Sequence, residues 1–200
     1  RTIMLKVGVT GGLGSGKTVV CSILKQLGVP VFNADEEAKK LLDREDIRSK
    51  ILLYFGEQVF DCDRVSRKKL ANYVFSNEEA LARLNELVHP AVAREFLKWT
   101  AQQNASQPYV VIEAALLIES RQDYSLDMIA VVCSPLEDRI IRAMQRDNAT
   151  RESIMARISK QLSDEDMIKK AGCVLLNDDD HMLLPQVLEM DKKLRKDHEG

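Results

Sequence analysis

The sequence lacks any run of about 18 consecutive apolar residues, which is the length that a membrane-spanning helix requires. It also lacks a strong charge of either sign, and a formal net charge of −2 argues against nucleic-acid or membrane binding driven by charge alone. No signal-peptide pattern, internal repeat or low-complexity linker is present. Its four cysteines show no paired Cys-x-x-Cys spacing, and Cys133 and Cys173 lie in apolar strand-like runs, as is typical of core residues in a reducing compartment. We therefore expect a cytoplasmic protein with no nucleic-acid or membrane partner.

One stretch carries the clearest signal, the residues 11–18 with the sequence Gly-Gly-Leu-Gly-Ser-Gly-Lys-Thr. It follows an apolar strand at 5–9 and precedes a predicted helix at 19–24, so it matches the Walker A pattern in its expected context. Glycines let backbone N–H groups point inward, and the helix N-terminus adds partial positive charge for phosphate. A glycine-rich turn that only redirects the chain is the alternative, and the joint register of glycines, Lys and Thr argues against it. The pattern predicts ATP binding by Gly12, Leu13, Gly14, Ser15, Gly16, Lys17 and Thr18, with Lys17 on the β- and γ-phosphates and Thr18 as a ligand of Mg²⁺.

A second short strand, Val31-Phe32, is followed by Asn33-Ala34-Asp35. Ligands of open α/β sheets bind outside the carboxyl ends of the strands, so these polar residues are candidates for the same crevice as the phosphate loop. Strand alternation would place Asn33 and Asp35 on one side, with Ala34 facing the other way. The alternative is that Asp35 only caps a helix at 36–42.

The segment from 36 to 107 is helical in pattern and contains no convincing core strand. A capping box at 76–79 predicts one helix start, and Pro90 predicts the first turn of a further helix. His89 is open to two interpretations, a substrate contact or a capping or packed histidine. A helical block of this length between two strands suggests an inserted subdomain that holds a substrate.

The second half of the chain again contains apolar runs that are typical of β-strands. Near-continuous apolar strands are predicted at 109–113, 127–133 and 172–176, and an amphipathic helix at 182–194. The residues 116–119 form a short helix or a loop that lines the crevice. A capping box at 134–137, with Pro135 at the first helical position, opens another helix.

That helix, 135–146, carries Arg139, Arg142 and Arg146 on one side at spacings i, i+3 and i+7. The cationic series continues through Arg151, Arg157 and Lys160 in a segment with predicted caps at Thr150 and Ser163. One interpretation is a solvated charged face. The other is a mobile lid whose arginines close over a triphosphate, and the phosphate loop favours the lid.

Taken together, these residues resemble the dephospho-coenzyme A kinase family over essentially the whole chain. Two positions depart from the family pattern. Asn33 stands where the family usually has a first aspartate, which puts a direct metal role there in doubt. Ala115 stands where a proline usually precedes Leu116, which affects loop shape more than chemistry. The resemblance rests on residues 10–18, Ala34-Asp35, 88–90, 116–119 and 142–147, on Arg157 with Gln161, and on Asn177.

The resemblance implies an α/β fold: a three-layer α/β/α P-loop NTPase core with a five-stranded parallel sheet, a helical substrate-binding insertion and a helical lid. The implied boundaries are a core at 1–35, 108–146 and 171–200, a helical CoA-binding subdomain at 36–107, and a lid at 147–170. The implied activity is ATP-dependent phosphorylation of the ribose 3′-hydroxyl of dephospho-CoA, the last step of coenzyme A biosynthesis. Dephospho-CoA and ATP would be its partners, in a monomer or small homo-oligomer.

The resemblance also implies a mechanism, in-line phosphoryl transfer in which positioning and charge neutralisation supply most of the rate. Asp35 would orient the 3′-hydroxyl and accept its proton. A nucleoside monophosphate kinase is the first alternative, and a nucleotide-dependent switch is the second, although no Asn-Lys-x-Asp stretch supports it. The implied site comprises Asp35, Lys17, Arg142 and Arg146 for catalysis, Arg142 and Asn177 for the ATP base, and Asp35, His89, Leu116, Glu119 and Arg157 for the substrate.

Overall fold

The computed structural model describes residues 4–120 and 124–199, with side chains described as far as residue 196. The chain divides into two compact units. One contains the residues up to Asn33 together with those from Trp99 onward, and the other is Ala34–Lys98. None of the helices in the described ranges is long and apolar enough to cross a membrane.

Strands and helices follow one another along the whole described chain. The strands are β1 (Leu5–Thr10), β2 (Val31–Asn33), β3 (Phe60–Asp61), β4 (Arg64–Val65), β5 (Tyr109–Glu113), β6 (Met128–Cys133) and β7 (Cys173–Leu176). The helices are α1 (Lys17–Gln26), α2 (Ala34–Leu41), α3 (Glu45–Phe55), α4 (Arg67–Phe75), α5 (Glu78–Ala101), α6 (Leu136–Asp147), α7 (Arg151–Ile158), α8 (Asp164–Ile168) and α9 (Leu183–Glu199), with a 3₁₀ turn at Glu57–Val59.

The first unit is built on a five-stranded sheet in the order β2-β5-β1-β6-β7. Every pairing in this sheet is parallel, which confirms the predicted core. Its central strands are apolar on both faces, as expected of a sheet that helices cover on both sides. On one face, Val7 and Val9 pack in a cluster with Leu24 of α1 and Val187 of α9. On the other face, a second cluster joins β6 to α8, with Val131, Cys133, Met167 and Ile118 as its buried members.

Parallel pairing brings the carboxyl ends of the strands to one edge of the sheet. Glu113, the last residue of β5, pairs in register with Val9 of β1 and with Asn33 of β2. The phosphate loop leaves β1 at this same edge, directly after Thr10. Polar residues at the ends of β2 and β5 are therefore placed beside the loop, as the strand arrangement predicts.

The second unit is mainly helical, and two of its features differ from the sequence-based predictions. A two-stranded antiparallel hairpin joins β3 to β4, whereas no strand is predicted there. Pro90 lies inside the continuous helix α5, so the prediction of a new helix starting at this proline is wrong. Val88, Ala91 and Val92 are buried on both sides of Pro90, and this packing offsets the hydrogen bond that the proline removes.

Three predicted helix starts differ from the observed ones. Helix α2 begins at Ala34, so strand alternation does not extend to Asp35, and the prediction that Asn33 and Asp35 share a side for that reason is wrong. The cap of α5 is Asn77, whose side-chain oxygen accepts from the Ala80 N–H at 3.0 Å, and not Ser76. Helix α6 begins after Pro135 without a side-chain cap. The caps predicted at Thr150 and Ser163 are confirmed, each hydroxyl accepting an N–H from the residue three positions later.

Candidate active site

The phosphate loop connects β1 to α1 and has the backbone geometry that its glycines predict. Gly14 and Gly16 have φ values of 77° and 107°, which side-chain-bearing residues rarely adopt. Gly16 is the N-cap residue of α1, so the helix N-terminus, with its partial positive charge, opens directly onto the loop. The Ser15 N–H donates to the Gly12 carbonyl at 3.1 Å and closes a tight turn within the loop. The loop therefore has the shape of an anion-binding concavity.

Lys17 lies at the first position of α1, and its ammonium folds back onto the loop. The Nζ atom donates to the carbonyl oxygens of Gly11 at 2.8 Å and Gly12 at 3.1 Å. These carbonyls hold the positive charge at the loop, where phosphate oxygens would provide stronger, charge-assisted acceptors. Lys17 thus lies at the loop, and its role on the β- and γ-phosphates stays a prediction.

A buried carboxylate, Glu113, organises the edge of the sheet next to Lys17. One of its oxygens, Oε1, accepts from the Thr18 hydroxyl at 3.1 Å, and the other, Oε2, accepts from the Asn33 amide at 3.1 Å. Glu113 is only 6% exposed. Buried Cys21 lies near it, and burial, followed by the charge of Glu113, raises the pKa of the Cys21 thiol. Cys21 therefore stays protonated and is not a nucleophile.

Glu113 is not among the site residues predicted from the sequence, although the sequence contains a signal for it. Glu113 is the only charged residue of β5, and it lies at the carboxyl end of a strand next to the phosphate-loop strand. The contact with Glu113 also accounts for Asn33 at the end of β2. An amide at this position donates to the buried carboxylate, whereas an aspartate would place a second negative charge about one hydrogen-bond length away.

The oxygen atoms of Thr18 and Glu113 suit a hard cation. Mg²⁺ prefers oxygen ligands and is usually held by one or two carboxylates, substrate phosphates and water. Within the described residues no group of three or more His, Cys, Asp and Glu side chains is arranged to hold a metal by itself. A hydroxyl and a single carboxylate beside a phosphate loop therefore fit a metal that arrives with a nucleotide.

Both predicted ATP-base residues, Arg142 and Asn177, contact the phosphate loop. The Asn177 amide, just after β7, donates to the Ser15 carbonyl at 2.8 Å. The Arg142 guanidinium donates to the Ser134 hydroxyl at 2.8 Å and, at 3.4 Å, to the Gly14 carbonyl. Gly16 has no room for a side chain, because a Cβ there would overlap the Asn177 amide.

The remaining predicted arginines form a separate cluster around Asp147. Its carboxylate accepts from Arg146 at 2.7 and 3.0 Å and from Arg157 at 2.5 Å. Arg146 first and Arg157 second lower the pKa of Asp147 to about 2, so the carboxylate is ionised at neutral pH. The structure therefore brings Arg146 and Arg157 together, while Arg142 lies apart from them against the phosphate loop.

Leu116 and Glu119 lie in the turn-rich segment that follows β5. Leu116 is exposed. The Glu119 Oε1 atom accepts from the Leu162 N–H at 3.2 Å, which links this segment to the stretch before α8. The second oxygen, Oε2, is buried and has no hydrogen-bond partner among the described residues. Glu119 thus has capacity for one further donor.

Asp35 and His89 both belong to the helical unit. Asp35 is an exposed residue in the first turn of α2, where the helix dipole favours a negative charge. His89 lies in the middle of α5 and is half-buried. Burial lowers its pKa, and the negative charge of Asp35 acts against that effect. The two residues are therefore electrostatic neighbours, which the sequence alone did not indicate.

Comparison with known proteins gives a consistent picture. The family model for dephospho-CoA kinase matches residues 5–182. A dephospho-CoA kinase of Bacteroides fragilis is 40% identical over 187 residues, covering 93% of this chain and 91% of that protein. A dephospho-CoA kinase of Chlorobium chlorochromatii is 41% identical over 182 residues, covering 86% of this chain and 85% of that protein.

Solved structures show the same likeness in three dimensions. A Thermus thermophilus protein superposes with a TM-score of 0.82 at 32% identity, covering 97% of both chains. The dephospho-CoA kinase of Campylobacter jejuni gives a TM-score of 0.69 at 26% identity, covering 98% of this chain and 99% of that one. A shikimate kinase from Acinetobacter baumannii, at 12% identity and a TM-score of 0.57, shares the fold alone.

Proposed function

The chain belongs to the dephospho-CoA kinase family, and we propose how its residues carry out the ATP-dependent phosphorylation of the 3′-hydroxyl of dephospho-CoA. The observation that carries the proposal is the phosphate loop with Thr18 hydrogen-bonded to Glu113 beside it. This arrangement joins an anion-binding loop to an oxygen pair suited to a cation, which is what transfer from a metal-bound nucleoside triphosphate needs. The nucleoside monophosphate kinase and switch alternatives are not favoured, because the family match covers most of the chain.

In the proposed nucleotide site, residues 12–18 bind the triphosphate. Backbone N–H groups of the loop and the N-terminus of α1 donate to the phosphate oxygens. Lys17 exchanges its two carbonyl acceptors for phosphate oxygens and offsets the charge that builds up during transfer. Arg142 and Asn177, which already contact the loop, bind the base or ribose side of ATP.

Thr18 and Glu113 are the residues that would hold Mg²⁺. The metal supplies charge neutralisation at the phosphate oxygens when it is bound. Glu113 contributes a buried carboxylate, and hydrogen bonds from Thr18 and Asn33 keep it in place. The Thr18 hydroxyl can ligate the metal through its oxygen while it still donates its proton to Glu113.

Asp35 acts as the general base in the proposed reaction. A carboxylate is ionised at neutral pH, and it can orient the 3′-hydroxyl and accept its proton as the new phosphate ester forms. His89, its electrostatic neighbour, is held towards the neutral form by burial. We assign His89 to the positioning of the substrate, together with Leu116 and Glu119, whose second oxygen has no hydrogen-bond partner among the described residues.

Residues 147–170 form the proposed lid. Asp147 holds Arg146 and Arg157 against each other, so the two guanidinium groups would approach the transferred phosphoryl group as one unit. The proposed organisation has a core at 1–35, 108–146 and 171–200 and a substrate-holding helical part at 36–107. The two compact units divide at slightly different points, after Asn33 and after Lys98. Dephospho-CoA and ATP are the proposed small-molecule partners.

An acceptor comparison tests the proposed function. ADP release is followed in a coupled assay with Mg²⁺-ATP and either dephospho-CoA, AMP, CMP or no acceptor. We expect turnover with dephospho-CoA to exceed that with either monophosphate by orders of magnitude. Equal or faster turnover with AMP or CMP would move the protein to the monophosphate-kinase alternative, and acceptor-independent hydrolysis would support a switch.

A further inference from the structure

Both peptide groups of Leu13, in the middle of the phosphate loop, are held by side chains from outside the loop. Its N–H donates to the Gln161 side-chain oxygen at 2.8 Å. Its carbonyl accepts from the Arg139 Nε at 3.1 Å. Gln161 lies just before α8 and Arg139 lies on α6, so the loop conformation depends on two distant parts of the chain.

Arg139 makes a second strong contact from the same guanidinium group. Its Nη1 atom pairs with Asp164, the first residue of α8, at 2.9 Å. Arg139 is only 5% exposed, in contrast to the exposed side chain of Arg146 on the same helix. A guanidinium presents its donors in a rigid fork, so it can bond the Leu13 carbonyl and Asp164 together, which a lysine ammonium cannot reproduce with the same geometry.

Two glycines of the phosphate loop, Gly12 and Gly14, lie so close to Arg139 that a side chain would overlap it. A Cβ atom at Gly12 would overlap the Arg139 guanidinium, and one at Gly14 would overlap the Arg139 carbonyl. Gly12 has no positive φ, so backbone conformation does not require a glycine there. The close approach of Arg139 is the physical reason for glycine at this position.

From these contacts we infer that Arg139 is a positioning residue for ATP binding. It fixes residues 12–14 in the shape that receives the triphosphate, and through Asp164 it couples that shape to α8. Together with Gln161, it makes the loop and the segment 151–168 respond to each other. The inference rests on the proposed role of the loop in ATP binding. An ordinary buried ion pair would contribute to fold stability alone, and the two roles differ in what they do to the kinetics.

The test compares three variants with one control on α6, the helix that carries Arg139. The variants are Arg139→Met, Arg139→Lys and Asp164→Asn. The control is Glu137→Gln, which breaks the exposed Glu137–Arg151 pair at 2.6 Å and lies outside the proposed lid and the phosphate loop. For each protein we measure KM for ATP, KM for dephospho-CoA and the melting temperature.

We expect Arg139→Met to raise KM for ATP by at least about tenfold, while KM for dephospho-CoA stays within about twofold of wild type. Arg139→Lys should recover most of the melting temperature through its charge on Asp164, but not the KM for ATP, because the Leu13 bond is lost. Asp164→Asn should shift KM for ATP in the same direction by a smaller factor. Glu137→Gln should leave all three quantities near wild type.

Hydrogen exchange provides a readout that does not depend on turnover. In Arg139→Met and Asp164→Asn, peptides covering the loop and peptides covering 151–168 should exchange faster together, whereas Glu137→Gln should leave the exchange of the loop at its wild-type rate. A lower melting temperature with unchanged KM for ATP and unchanged loop exchange would overturn the inference and leave Arg139 as a structural residue. If Arg139→Met does not fold, Arg139→Lys and Asp164→Asn decide the question. If the wild type binds no ATP, the proposed function fails as well.

Discussion

Replacement of Asn33 by aspartate should destabilise the protein in a pH-dependent way. In the wild type the Asn33 amide donates to the Glu113 carboxylate at 3.1 Å. Asn33→Asp replaces this donor by a second carboxylate at nearly the same distance. Two negative charges at that separation repel by about 5 kcal/mol at an effective dielectric constant of about 20. The magnitude is large enough to change the protonation state of the pair.

The two carboxyl groups can avoid this repulsion by binding one proton between them, and the free energy of that protonation is the upper limit of the stability loss. Protonation of one ordinary carboxyl group at pH 7 costs about 4 kcal/mol, since each pH unit above its pKa of about 4 adds about 1.4 kcal/mol. The folded variant then keeps one proton that the unfolded chain releases, so its stability falls as the pH rises above about 4. We expect a loss of about 4 kcal/mol relative to wild type at pH 7 and only about 1–2 kcal/mol at pH 5.

Urea unfolding at pH 5 and pH 7, with EDTA present to exclude divalent cations, measures this difference directly. Asn33→Ala is the matched control, since it removes the hydrogen bond without adding charge, and its loss should be nearly the same at both pH values. The double variant Asn33→Asp with Glu113→Gln should recover most of the stability lost at pH 7. A pH-independent loss in Asn33→Asp would refute the reasoning and would mean that Glu113 does not face this position as a carboxylate.

Further predictions concern the catalytic roles and one buried network. Lys17→Ala should abolish phosphoryl transfer and weaken ATP binding in calorimetry while the melting temperature stays near wild type; substantial turnover at saturating ATP would contradict the role of Lys17. Asp35→Asn should lower kcat by about 10²–10⁴ with little change in ATP affinity, and a normal kcat would leave Asp35 as a helix residue only. Arg146→Ala should lower kcat/KM by on the order of 30-fold or more, about 2–4 kcal/mol, and an unchanged value would return this arginine to the solvated surface. Asp191→Ala should cost about 2–4 kcal/mol of unfolding free energy without changing KM, because buried Asp191 accepts from the Tyr109 hydroxyl at 2.6 Å and pairs with Arg195 at 2.9 Å.

The core of the fold could be predicted from sequence because its signals are local. Near-continuous apolar strands flanked by helical patterns indicate a parallel sheet, and the glycine spacing after β1 marks the phosphate loop. The wrong predictions lie where tertiary packing overrides a local sequence preference or where the usual local signal is absent. Pro90 is typical of a helix start, but α5 continues through it because residues on both sides of the proline are buried. The β3–β4 hairpin has Cys62 at φ 54° in its turn instead of Gly or Asn, so the usual turn signal is absent.

The residues of the candidate site also fall into two groups, those indicated by local sequence spacing and those that depend on long-range contacts. Lys17 and Thr18 are indicated by spacing alone, and the structure places them at the loop. Glu113 and Arg139 depend on contacts with residues far away in the chain, 95 residues from Thr18 in one case and 126 from Leu13 in the other. The helical spacing of Arg139 and Arg146 predicts that both lie on the same side of α6, but Arg139 is buried and Arg146 is exposed. The burial of each residue depends on which other elements pack against it, and sequence periodicity contains no information about that packing.

The identity of the product tests the central claim most directly. The protein is incubated with Mg²⁺-ATP and dephospho-CoA, and the product is examined by mass spectrometry and by phosphorus NMR coupled to the ribose protons. We predict coenzyme A, with one added phosphoryl group whose phosphorus couples to the ribose H3′ proton, and no such product with Asp35→Asn over the same time. A phosphoryl group on any other oxygen, or ADP formation without a phosphorylated acceptor, would contradict the account.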